Sequence, residues 1–89
     1  MSEHKIDLIN NRKVVAAGDT VKIINSNSLY FLIGAGIDDV TVSIQVIEDG
    51  DFRTIDPVIE AGKALQTANK IPNGAVVKFS AAAEVWAYA

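Results

Sequence analysis

Chemistry requires side chains that can attack, take a proton or hold a metal, and this chain offers few of them. It has no cysteine, and its single histidine is His4. A serine nucleophile needs an adjacent base. Ser2, Ser26, Ser28, Ser43 and Ser80 have only that near-terminal histidine to serve them. Carboxylates occur close together at Asp38-Asp39 and at Glu48-Asp49 with Asp51. Paired acids can do acid–base work, and acidic loops can bind Ca²⁺ through oxygen ligands, with Asp7 or Asp56 to complete a shell. Both groups lie in turn-rich sequence, where solvated acids normally sit, and neither has EF-hand length or spacing. Gly34-Ala35-Gly36 is too sparse for a phosphate loop, and no lysine follows it. The expectation is therefore no enzyme, no metal and no cofactor.

The aromatic residues are more informative. Trp86 and Tyr88 are two apart in a β-rich stretch, so they share a strand face with Glu84, while Val85, Ala87 and Ala89 take the other. If the small residues face the core, the aromatics stand outside about 7 Å apart and suit a sugar ring or a neighbouring subunit. If the aromatics face inward, they are core. Glu84 argues for outside and the usual burial of tryptophan for inside; core is the expectation. Tyr30 and Phe31 fall on opposite faces of their strand. Tyr30, Phe31, Trp86 and Tyr88 make up the candidate interface.

The elements that would position these residues are strands. Residues 40–47 alternate, with Val40, Val42, Ile44 and Val46 on one face and Thr41, Ser43 and Gln45 on the other. Asp49-Gly50 is a favoured hairpin dipeptide leading to a return strand over 52–55, which Asp56-Pro57 ends. Residues 6–9, 12–16, 20–24, 64–67, 75–80 and 84–89 read as further strands. Turns are expected at Asn10-Asn11, Gly18-Asp19, residues 25–28 and 71–74. The apolar run 29–33 reads as a strand buried on both faces. A helical rival exists only over 59–70, where residue types favour helix but Gly62 interrupts.

These pieces make one all-β domain over residues 1–89, with 1–4 as a flexible tail. The class is a small antiparallel β-sandwich, or a jelly-roll or Greek-key fold, of about eight short strands. Residues 14–21 and 58–65 share the pattern apolar-apolar-x-Ala-Gly-x-x-apolar. That echo implies two equivalent strand–turn–strand corners, each glycine supplying a positive φ.

Composition sets outer limits. With 89 residues the chain holds one domain of thin stability, and without disulfides and metals the remaining staples are oligomerisation or idealised packing alone. A hydrophobic fraction of 49% and a charged fraction of 21% read as globular. The net charge is −3 and no basic run is denser than Arg12-Lys13, so no nucleic-acid partner is expected. No apolar segment follows Met1 to Lys5 as a signal peptide would require, and no stretch of about 18 apolar residues could span a membrane. Synthesis in a cytoplasm without export is the expectation.

The segment Gly18-Asp19-Thr20-Val21-Lys22-Ile23-Ile24-Asn25 resembles an early strand of cupredoxins. Their copper needs histidine and cysteine ligands, so the resemblance implies a sandwich without the copper. A broader resemblance covers the last fifty or so residues. Residues 41–52, a strand running through Asp49-Gly50 to Phe52, and 73–79, Asn73-Gly74 followed by a strand, resemble small accessory proteins of tailed-phage virions. Head-decoration and tail-associated sandwiches are of that kind. The resemblance implies a non-enzymatic structural protein that docks on a capsid or tail lattice, or self-associates, often as a trimer. It carries over no functional residue. The alternatives are a carbohydrate-binding module using Trp86 and Tyr88, with a glycan as partner, and a small regulator of a host protein that binds through its acidic loops.

Overall fold

The computed structural model describes residues 2–7, 11–24, 27–55 and 57–88. Among them the chain forms nine strands and no helix: β1 (Glu3–Ile6), β2 (Asn11–Val15), β3 (Thr20–Ile23), β4 (Tyr30–Ala35), β5 (Val42–Gln45), β6 (Arg53–Thr54), β7 (Ala64–Gln66), β8 (Val76–Phe79) and β9 (Ala83–Tyr88). They build two sheets, ordered β1-β3-β8-β5-β6 and β2-β9-β4-β7. Counted from β2, the first strand pairs with the eighth, the second with the seventh, and the third with the eighth and sixth. That order is a jelly roll, with β1 added at one edge. β1 runs parallel to β3, the one departure from an otherwise antiparallel sandwich.

The core lies between the sheets because alternate residues of each strand point there. Val21 and Ile23 of β3, Phe31 and Ile33 of β4, Val77 and Phe79 of β8, and Val85 and Ala87 of β9 are all buried. In β4 the alternation corrects one expectation. The run 29–33 is not buried on both faces: Leu29, Phe31 and Ile33 are buried, while Tyr30 and Leu32 are only half-buried. The second face of β4 is simply an apolar outer surface.

Chain crossings between the sheets use one device repeatedly. At Ala16 to Asp19 the Asp19 amide donates to the Ala16 carbonyl (3.0 Å), and at Glu60 to Lys63 the Lys63 amide donates to Glu60 (2.9 Å). In both turns the third residue is a glycine with left-handed backbone, Gly18 at φ 81° and Gly62 at φ 76°. Each of those glycine amides also donates across to another strand end, Gly18 to Phe79 and Gly62 to Gly36. The sequence echo thus marks two equivalent corners, and the second removes the helical rival over 59–70.

Other expectations differ in detail. Residues 2–4 are not a loose end, since Glu3 and His4 open β1. The β5–β6 connection is long, residues 46–52, and Asp49-Gly50 does not close a two-residue turn. Only Asp49 is left-handed there (φ 61°), and the Gly50 amide donates to Ile47 (2.8 Å). A Cβ on Gly50 would sit 2.9 Å from the Ile47 oxygen, so glycine is needed for clearance. Val46 does not continue the core face: β5 stops at Gln45, and Val46 is 61% exposed. Leu8, Ile9 and the Asn10 turn, the Asn25-Ser26 turn, Asp56 and the end of the last strand at Ala89 lie outside the described residues.

Candidate interaction surface

The outer face of the four-stranded sheet gathers what the sequence scattered. Pairing of β4 with β9 sets Tyr30 opposite Tyr88, Leu32 opposite Trp86 and Gly34 opposite Glu84. Pairing of β2 with β9 sets Arg12 opposite Trp86, and β7 brings Gln66 beside Leu32. The Tyr30 and Tyr88 rings stack at 5.8 Å between centroids with a 36° tilt. The Lys70 ammonium lies 5.5 Å over Tyr30. Trp86 leans across β4, with its ring edge 3.7 Å from where a Gly34 Cβ would be. The Arg12 guanidinium lies 5.9 Å from the Trp86 ring centre and holds Glu84 at 2.7 Å. One arginine therefore fixes both the ring and its charged neighbour, by cation–π attraction and an exposed ion pair that adds little stability itself.

This arrangement decides the inward-or-outward question for β9. Val85 and Ala87 are buried and Trp86 and Tyr88 are half-buried on the outside, so the expectation that they are core is overturned. The reason is volume: Phe31 and Phe79 already fill the space between the sheets, and alanine and valine are what β9 can add there. Phe31 is the opposite correction. It is fully buried, opposite Ala87, and leaves the candidate interface. Tyr30, Trp86 and Tyr88 stay in it, and Leu32 and Arg12 join them. Leu32 was legible in principle, since it shares strand parity with Tyr30. A shallow cleft of about 280 Å³ lies beside Trp86, lined by Val14, Gly34, Gly36, Ala82 and Glu84 among others. That is at the low end for small-molecule sites.

Asp19, Asp39 and Ser80 have structural partners. Asp19, 4% exposed, accepts from the Ser2 amide (2.6 Å), the Ala16 amide (2.8 Å) and His4 Nε2 (3.1 Å). The two backbone donors, then His4, lower its pKa to about 2. An ionised carboxylate only accepts, so His4 Nε2 carries the shared proton. Asp39 Oδ1 accepts from the Ala61 amide and Ser80 Oγ from the Thr41 amide. Among the described residues no three His, Asp or Glu side chains converge as a metal site.

The outer face of the five-stranded sheet differs. Lys5 of β1 sits directly opposite Lys22 of β3, and Lys78 of β8 pairs with Thr20 one step away on the same face. Sequence spacing shows no basic cluster, because these lysines come from three distant strands. None of the three enters an ion pair among the described residues; Lys78 lies 5.3 Å over the Phe52 ring. At the end of β5, Val46 and Ile47 are both strongly exposed beside Glu48, Asp49 and Asp51. Two adjacent apolar residues in an alternating strand cannot both face inward, which was the available signal.

Comparison with known proteins adds no relative: no family model, no curated protein and no solved structure matches the chain.

Proposed function

We propose that the protein is a non-enzymatic assembly module that binds protein through the outer face of its four-stranded sheet, as a virion component of the capsid-decoration or tail-associated kind. The observation that carries this reading is the composition of that face. Tyr30, Leu32, Trp86 and Tyr88 form an aromatic and apolar centre, and Arg12, Glu84, Gln66 and Lys70 surround it. Protein interfaces have that anatomy, with tryptophan, tyrosine and arginine as the energetic anchors inside a polar rim. A small domain without disulfides gains most from such association. The phage resemblance of residues 41–52 and 73–79 supplies the virion setting.

The test is solution mass by light scattering behind a sizing column, in about 1 M salt, where screening leaves apolar contacts and suppresses ionic ones. The wild type is expected as an oligomer, a trimer by the resemblance. Trp86→Ala and Tyr88→Ala are expected as monomers of 9.5 kDa with unchanged far-UV circular dichroism. A wild-type monomer at every concentration would sink the self-association reading.

The cleft beside Trp86 and the stacked tyrosines favour a second reading, a platform for a glycan. Trp86 is the single tryptophan, so its fluorescence reports on this face alone. A shift on titration with one member of a glycan panel, absent in Tyr88→Ala, would support it.

A further inference from the structure

We infer that the lysine face of the five-stranded sheet is a second, ionic contact surface, and that its occupant is the acidic β5–β6 hairpin of another copy of this chain. Lys5 and Lys22 stand directly opposite each other on neighbouring strands. Like charges in that position destabilise a sheet, and Lys78 lies diagonal to Lys22 on the same face. None of the three lysines enters an ion pair among the described residues. Three lysines less Glu3 put this face at +2, so the rest of a chain of net charge −3 stands at −5. The molecule is thus polarised, with one basic face on an acidic body.

The complementary surface is in the same chain. Glu48, Asp49 and Asp51 project from the β5–β6 connection, exposed and without ion pairs among the described residues. Val46 and Ile47, 61% and 75% exposed, stand beside them. An acidic tip next to an apolar strip matches a basic sheet face bordered by Phe52, itself partly exposed. Such contact joins unlike patches of two copies. It builds rings when the rotation closes and filaments when it does not. It does not use Trp86 or the tyrosines, so it leaves the aromatic face free.

The experiment is light scattering on the full chain at about 0.01 M salt, where the Debye length is about 30 Å, and again at about 1 M, where it is about 3 Å. Trp86→Ala serves as the background, so that loss of the aromatic contact cannot confuse the result. Association is expected at low salt and loss of it at high salt. In that background Lys5→Glu with Lys22→Glu is expected to give monomer, as is Glu48→Lys with Asp51→Lys. An equimolar mixture of the two charge-reversed proteins is expected to associate again. Lys22→Gln provides a gentler variant and is expected to weaken association at least several-fold. The inference is overturned if Trp86→Ala is monomeric at low salt, if either reversal leaves association unchanged, or if the mixture stays monomeric. Failure here with an oligomeric wild type at high salt would leave the aromatic contact standing; the converse would remove that contact alone.

Discussion

A carboxylate that accepts three hydrogen bonds holds its charge more firmly than one in water, and Asp19 ties the start of β1 to the β2–β3 corner in this way. Its pKa of about 2, against 3.8 ordinarily, means that the unfolded chain binds the proton first as acid is added. The contribution to stability is full above about pH 5 and is lost as pH falls through 4 towards 2. Urea melts at pH 7, 4 and 2 should show the wild type losing stability towards Asp19→Asn across that window; parallel losses in both proteins would refute the assignment. Neighbours in sequence can also have opposite roles. Phe31→Ala should cost about 3–5 kcal/mol by opening a core cavity. Tyr30→Ala, on the outer face, should cost about 1 kcal/mol and act on association instead. Denaturant midpoints separate the two. That difference was half legible in the sequence: strand parity puts the two rings on opposite faces, but which face is inward depends on which space is already filled. The same gap put Trp86 and Tyr88 on the wrong side.

At the scale of elements, local chemistry was most readable where a turn demanded a residue type. The Ala-Gly echo located two corners, because left-handed backbone selects glycine wherever it occurs. Gly18→Ala and Gly62→Ala should each cost about 1–2 kcal/mol, although a Cβ at Gly62 meets no atom within 4 Å. Thermal melts of the two variants check this, and an unchanged midpoint for Gly62→Ala would show that backbone strain is absent there. Strand chemistry gave β3 and β8 to within one residue at each end, and overran β5 by two at each end. It failed where strands stop for tertiary reasons: β5 ends at Gln45, so Val46 leaves the core although its parity is right. The lysine face was invisible for a related reason. Lys5, Lys22 and Lys78 meet only through the pairing of β1, β3 and β8, and no spacing along the chain encodes that.

For the whole molecule, the two outer faces have different physics. One sheet presents aromatics gripped by Arg12, and the other presents lysines that enter no ion pair among the described residues. On the proposed reading one contact would survive high salt and the other would not, so the molecule could join two kinds of neighbour at once. The strand order has a further effect. β8 sits between β3 and β5, and β9 between β2 and β4, so the centre of each sheet is made by the two strands last in chain order. Arg12 and Glu84, which meet across β2 and β9, are 72 residues apart. A growing chain therefore emerges from the ribosome with β3, β4 and β5 lacking their central partners, and their apolar sides have nothing to close on until residues 76–88 are made. Folding must wait until those strands are available, and its rate should be that of a high-contact-order β protein, in the millisecond-to-second range. Stopped-flow refolding followed by Trp86 emission would time that closure, because the tryptophan itself rides on the closing strand.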